Sequence, residues 1–309
     1  MKPYLIVAPR YRHYHMGIRV LNLLCSELNN KGIDAYITGS TEESKSEFNL
    51  KRAEDLSVKE LKDLQYNGIV VYHSLVPDNP YNFTNVVRWW LGPYISSYVN
   101  SISFGYTPVQ NELIKPEGYL GLIHIESFFC LPEKENRKYI CYYFGKIKED
   151  KKLVPTEDNS VIITLDFPKE RKQLAQYLQQ AKILYCYDNF TTIIDESLLC
   201  GCSVILMNNS LFTKEYYKEN SRFGLMGIGF QDEQYDIDDL KNQIPEFINK
   251  YKEYLEKTKK ELNIFIEKTQ AWNPNNIYVN NNLSNRVAKY DSEVFSNPIY
   301  NVLKTREYY

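Results

Sequence analysis

Long apolar runs are missing from this 309-residue chain, and no stretch approaches the roughly 18 apolar residues of a membrane-crossing helix. The opening MKPYLIVAP is too short an apolar segment for a signal peptide and reads as a first strand, so the expected location is cytoplasmic. Clustered cysteines are missing too. Cys25, Cys130, Cys141 and Cys186 stand apart, and Cys200 and Cys202 flank one glycine with no second pair and no neighbouring histidine. That spacing excludes a disulfide framework and a zinc site and leaves small, reduced, buried thiols; no metal is expected. Excess positive charge is absent as well, the net charge being −2, which counts against a nucleic-acid binder. A local basic patch remains compatible with phosphate or with peripheral contact at a membrane surface. Finally there is no G-x-G-x-x-G, which counts against a nicotinamide dehydrogenase.

What is present is 43% hydrophobic content, enough for two cores, and a repeated alternation of strand and helix signals. Tyr4 to Ala8 reads as a strand, Gly17 to Asn30 as a helix with apolar residues at helical spacing, and Ala35 to Thr38 as a strand. Val58 to Leu64 reads as a helix and Ile69 to Tyr72 as a strand, followed by a helix from Asn85 to Leu91 with Thr84 as its N-cap. Ile102 to Tyr106 and Tyr119 to Ile125 read as further strands. The run LPEKENRK at 131–138 breaks the pattern and is the expected interdomain linker. Beyond it come a strand over Tyr139 to Phe144, a strand over Val161 to Leu165 and a helix over Lys169 to Ala181. Asp238 to Lys268 follows as an amphipathic helical region in which Pro245 marks either a break or a new helix start, and Phe223 to Phe230 as a strand or glycine-rich turn. Such alternation predicts parallel sheets. The expected domains are 1–134, joined by a final helix within 283–309, and 135–282.

The densest signal is KILYCYDNFTTIIDESLLCGCSVIL, Lys182 to Leu206. An apolar strand from Ile183 to Tyr187 leads into a turn of Asn189, Phe190, Thr191 and Thr192, whose hydroxyls are expected to cap a helix from Ile193 to Cys200. Gly201 ends that helix and Ser203 to Leu206 resumes as strand. Ligands of open parallel sheets gather outside the carboxyl ends of the strands, which is where Asp188 and the start of that helix fall.

Asp188 and Glu196 are separated by seven residues and are followed by C-G-C-S-V-I. That layout resembles the E-x7-E and C-G-x-P-V-I run of the retaining GT-B glycosyltransferases, with Asp for the first Glu, Thr191 for a glycine and Ser203 for the proline. FGKIKEDK places Lys146 and Lys151 where that branch carries a basic pair, and NPYNFTNVVRWWLGP resembles a stretch of bacterial surface-polysaccharide transferases. The resemblance implies an α/β fold of two Rossmann-like domains facing a central cleft, with a C-terminal helix returning to the first. It implies metal-independent transfer of a hexose or related sugar from a nucleotide-sugar donor, which is a substrate rather than a cofactor, to a glycan or lipid-linked acceptor. It places that work in the cytoplasm or at the inner face of the membrane.

In that frame Lys146, Asp188 and Glu196 are the catalytic candidates. Gly17, Gly145, Lys151, Asn189, Thr191 and Thr192 join them around the donor, with the lysines on the diphosphate, Glu196 on the ribose and Asp188 near the sugar. Arg12, His13 and His15, with Arg10, make the loop after the first strand basic. His124 and Glu126 alternate as a candidate acid/base pair. These five, Arg12, His13, His15, His124 and Glu126, are the acceptor or cleft candidates. Each has an ordinary structural reading: solvated charge for the lysines, a surface acid for Glu196, an Asx turn for Asp188, a buried histidine for His124. Asn79, Asn85 and Arg88 either touch an acceptor or pin a loop, and Trp89 and Trp90 read as core. The alternatives to a transferase are a nucleotide-sugar epimerase of the same fold and a non-catalytic sugar- or nucleotide-binding subunit.

Overall fold

The structure, a computed structural model, describes residues 1–92, 101–107, 116–145, 158–188, 191–208 and 214–274. The chain divides into two compact units. One takes Met1–His124 together with the chain from Glu256 on, and the other takes Ile125–Leu255.

The first unit is built on a parallel seven-stranded sheet. Its strands are β1 (Tyr4–Val7), β2 (Ala35–Ile37), β3 (Lys51–Arg52), β4 (Ile69–His73), β5 (Asn85–Trp90), β6 (Ile102–Gly105) and β7 (Gly118–Tyr119), in the order β3-β2-β1-β4-β5-β6-β7. Helices α1 (Met16–Asn30), α2 (Glu42–Glu47) and α3 (Val58–Asn67) intervene. β1 is buried at every position because the sheet is covered on both sides. On one side Tyr4, Ile6, Ile69, Val71, Val87 and Trp89 pack with Val20, Leu21 and Leu24 of α1. On the other side Leu5, Val70 and Tyr72 pack with Leu61 and Leu64 of α3.

Asn85 to Leu91 corrects a sequence expectation. The segment is strand, not helix: NVVRWW is fully buried and pairs residue by residue with β4. Two β-branched residues and two tryptophans suit a strand buried on both faces, and that burial overrides the capping signal of Thr84. The connection from β4 to β5 contains no helix. Val76, Tyr81 and Phe83 of that loop enter the core beside α3 instead. Asn79 pins the loop, its side chain accepting from the Tyr72 hydroxyl at 3.0 Å and donating to the Phe83 carbonyl at 2.8 Å. Arg88 does the same through the Val76 carbonyl at 2.8 Å, and Asn85 holds Gly68 at 3.0 Å.

The second unit holds a parallel five-stranded sheet of β8 (Tyr139–Tyr143), β9 (Ser160–Ile163), β10 (Ala181–Cys186), β11 (Ser203–Leu206) and β12 (Ile228–Phe230), ordered β12-β11-β10-β8-β9. Its helices are α4 (Arg171–Gln179), α5 (Ile193–Leu199), α6 (Lys214–Asn220) and α7 (Ile237–Asn242). Both sheets are parallel α/β layers of Rossmann type, the first in the dinucleotide-fold order and the second in the flavodoxin-like order.

The boundaries differ from those expected. The division falls at His124/Ile125 rather than 134/135 because the presumed linker is tied into the second unit. The Gln179 side chain donates to the carbonyls of Phe128 and Cys130 at 3.1 and 3.0 Å. Arg137 donates to the carbonyls of Leu178 and Ala181 at 3.1 Å each and of Cys200 at 3.0 Å, satisfying acceptors at the ends of α4 and α5. The chain rejoins the first unit inside the 28-residue helix α8 (Ile244–Ala271), not at 283. Leu262 and Phe265 of α8 enter the first core, and Thr269 hydrogen-bonds the Tyr4 hydroxyl at 2.6 Å. Pro245 occupies the first turn of α8, where its missing N–H costs nothing. The expected helix within 283–309 lies outside the described residues.

Candidate functional site

In the second sheet the chain adds β9 on one side of β8, then returns to add β10 and its successors on the other, so the switch point lies between β8 and β10. Two of the expected donor residues meet there. Gly145, just past β8, has φ +59, and a β-carbon on it would lie 2.5 Å from both Cβ and Oδ2 of Asp188, just past β10. Only glycine combines that backbone conformation with that approach. Asp188 is 6% exposed, and its carbonyl accepts from the Cys186 thiol at 3.1 Å. Phe144 and Tyr187 stack at 4.8 Å beside this pair. Lys146, Lys151 and Asn189 lie outside the described residues.

Glu196 is 2% exposed, on α5. It is not an exposed surface acid, nor a carboxylate standing open to a ribose. Arg171 grips it through Nη2 to Oε1 at 2.6 Å and Nη1 to Oε2 at 3.2 Å. The same guanidinium holds Glu126 through Nε at 2.9 Å and Nη2 at 2.8 Å, and lies over the Phe129 ring at 4.6 Å. Burial opposes the charge on Arg171, but Glu196 and Glu126 outweigh it and raise its pKa. The sequence reading missed Arg171. One signal was available: Arg171 opens α4, where the helix dipole disfavours a cation, so a specific acidic partner is called for.

The buried Tyr143 hydroxyl joins these groups. Burial raises its pKa, a hydrogen bond with Thr191 lowers it, and the charges of Asp188 and Glu196 raise it further. Thr192 is the N-cap of α5, yet its side chain makes no capping bond, contrary to expectation. Its αR conformation, φ −65 and ψ −23, already belongs to the helix, whereas a capping side chain is normally carried by an extended backbone.

Beside Glu196, burial pushes the Asp195 carboxyl up from 3.8 to about 7, with Arg222 pulling down and Glu196 pushing up. Between these values the folded form binds a proton that the unfolded form releases, so this group stabilises the fold as pH falls from about 7 toward 4. Asp195 is half-buried, so the gain is on the order of 1–2 kcal/mol. Urea unfolding at pH 7 and pH 5 will show wild type gaining that much relative to Asp195→Asn; equal responses would refute it.

In the first unit, Arg12 and His15 form the tight turn into α1, the His15 amide donating to the Arg12 carbonyl at 3.0 Å. His13 pairs with Glu43 at 3.0 Å. Gly17 sits in the first turn of α1, and a β-carbon there would meet only His15 Nδ1 at 3.8 Å, so no close approach demands the glycine. His124 and Glu126 are not a pair. His124 contacts Glu47 at 2.8 Å in the first unit, whereas Glu126 is held by Arg171 in the second. Strand β7 ends at Tyr119, so the alternation assumed through Ile125 does not apply. Glu47 also accepts from the Tyr11 hydroxyl and contacts Arg19 at 3.4 Å. Burial pushes its carboxyl up, but bonds from His124 and Tyr11 and the charge of Arg19 bring it below the usual range.

No family profile matches the chain, and no curated protein sequence matches it. Among solved structures it is similar to T4 phage BGT in complex with its UDP-glucose substrate, at TM-score 0.44 and 11% identity over 88% of this chain and 97% of that one. The glycotransferase of kitacinnamycin gives TM-score 0.43 and 11% identity over 87% and 99%. The glycosyltransferase SnogD from Streptomyces nogalater gives 0.42 and 10% over 85% and 95%. Similarity at this level assigns no role to any residue of this chain.

Proposed function

We propose that this chain is a glycosyltransferase whose second unit binds a nucleotide-sugar donor at the β8–β10 switch point. The observation that carries the reading is the Gly145–Asp188 approach at the switch point of the sheet, in an Asp-x7-Glu layout. Departure of a nucleoside diphosphate needs its developing charge stabilised as the anomeric bond breaks. Lys146 and Lys151 supply that charge in this reading, and Asp188 binds donor-sugar hydroxyls. Arg171 holds both Glu196 oxygens, so in this reading the ribose role requires a shift in α5 that exposes the carboxylate. The first unit takes the acceptor, a glycan or lipid-linked saccharide, in surface-polysaccharide synthesis. The sugar is a hexose or close relative, transferred with retention and without a metal, at the cytoplasmic face of a membrane. No helix among the described residues is long and apolar enough to cross a membrane.

The test is a panel of nucleotide sugars followed by thermal unfolding and by nucleoside diphosphate release with mixed acceptors. One donor is expected to raise the melting temperature, to be turned over with and without EDTA, and to lose turnover in Glu196→Ala. No shift with any donor would sink the proposal. The engagement of Glu196 by Arg171 favours a second reading, a non-catalytic nucleotide-binding subunit. That reading predicts a thermal shift with no release of diphosphate.

A further inference from the structure

We infer that Cys130 is a thiol-modification site of the second unit, which a small-molecule disulfide such as oxidised glutathione drives to a reversible cross-link with Cys200 at the end of α5. The inference is independent of the transferase reading.

The fold brings together two thiols that the sequence keeps apart. All six cysteines are free, and Cys130 is the exposed one. Cys200, the C-cap of α5, is fully buried. Helix α4 lies against both. Ala175 and Gln179 stand one turn apart on one face of it. The Ala175 carbonyl accepts from the Cys200 thiol at 3.9 Å, while the Gln179 side chain donates to the Cys130 carbonyl at 3.0 Å and meets the Cys130 sulfur at 3.9 Å. The residues that follow the two cysteines also touch, since a β-carbon on Gly201 would stand 2.9 Å from Leu131 Cδ2. The Cys130 amide itself bonds the Cys200 sulfur. Glu126 and Cys130 thus mark two ends of a strap of chain along α4. Arg171 holds the first end at the start of the helix, and Gln179 holds the second at its last turn.

Exposure decides which thiol meets the oxidant. The Cys130 thiolate attacks one sulfur of the oxidant, forming a mixed disulfide and releasing one glutathione thiolate, which takes up the proton that Cys130 lost. Cys200 then attacks the Cys130 sulfur, and its proton leaves with the second glutathione. Two protein thiols are oxidised and one glutathione disulfide is reduced to two glutathiones. Burial pushes the Cys200 thiol up, and the Arg137 charge and the Cys130 amide pull it back only in part, so Cys200 is a poor first nucleophile. Beside the mixed disulfide its attack is intramolecular, which offsets that low reactivity. A disulfide asks for Cα atoms within about 7 Å, the approach that the contacts on both sides of this pair imply. The Cys130 thiol, now 3.7 Å from the Phe128 carbonyl, has to turn toward Cys200. The other buried thiols of this unit are placed differently. Cys202 directs its thiol to the Ser203 carbonyl at 3.5 Å, and Cys141 lies within β8. The product ties the strap to the end of α5.

The test incubates the folded, fully reduced chain with oxidised glutathione, alkylates the remaining free thiols and maps the digest by mass spectrometry. A Cys130–Cys200 cross-linked peptide is expected, reversed by dithiothreitol, with every other cysteine alkylated. Cys200→Ser will stop at the mixed disulfide and accumulate about tenfold or more of the Cys130–glutathione adduct than wild type does. Cys130→Ser will leave the buried thiols free and slow oxidation of Cys200 by about tenfold or more. Wild type that ends as the Cys130–glutathione adduct with Cys200 alkylated would overturn the inference. A cross-link between any other pair, one that forms only in urea, or no reaction at Cys130 would overturn it equally. These readings need wild-type protein alone, so a misfolded variant does not shield it.

Discussion

Replacing Arg171 by methionine will destabilise the second unit by about 3–5 kcal/mol, because it leaves two carboxylates facing each other in a site that excludes water. Glu196 is 2% exposed and the Glu126 side chain 12% exposed, so neither is able to recover its hydration without moving its backbone. Four contacts of 2.6 to 3.2 Å disappear at once. Methionine preserves the packing on Phe129, so the loss reports charge rather than volume. Urea unfolding at neutral pH measures it. The triple variant Arg171→Met, Glu126→Leu, Glu196→Met removes all three charges and will recover most of the loss, since apolar replacement of a whole buried ion cluster is often neutral. A cost below about 1 kcal/mol for the single variant, or no recovery in the triple, would show that the cluster is solvated and interchangeable with surface ion pairs.

Gly145→Ala is the second large effect. Its β-carbon would stand 2.5 Å from Cβ and Oδ2 of Asp188 in a backbone at φ +59. The backbone conformation costs about 1–2 kcal/mol for alanine. The contact moves β8 and β10 apart, or drives the Asp188 carboxylate off its position, for a similar further cost. Donor binding in the proposed transferase will weaken by about tenfold or more, because Asp188 is displaced from the switch point. A cycle with Asp188→Gly separates the two terms. The second substitution removes all three Asp188 atoms that collide, so the double variant will be left with the φ cost alone and a coupling above about 1 kcal/mol. Strict additivity would mean that the strands yield without strain.

The strand, helix and strand of Lys182 to Leu206 were legible because each signal is local. A short apolar run suits a doubly covered strand, and Gly201 ends α5 with φ +75. Asn85 to Trp90 was not legible in the same way. A threonine cap followed by apolar and basic residues reads as a helix start, and only the sheet on both flanks makes it a central strand. The segment 131–138 misled for a related reason. Proline and charge signal an exposed linker, but Arg137 spends its charge on three helix-end and strand carbonyls.

The sequence by itself determined the grammar of two parallel α/β units and the positions of Asp188, Gly145 and Glu196 on it, because periodicity, caps and turns act over a few residues. Tertiary structure alone decided what those residues face. Arg171 lies 25 residues from Glu196 and 45 from Glu126 along the chain. Such partners are chosen by strand order and crossover, which bring distant strand ends to one edge, and by burial, which makes an unmatched charge or donor too costly to leave unpaired.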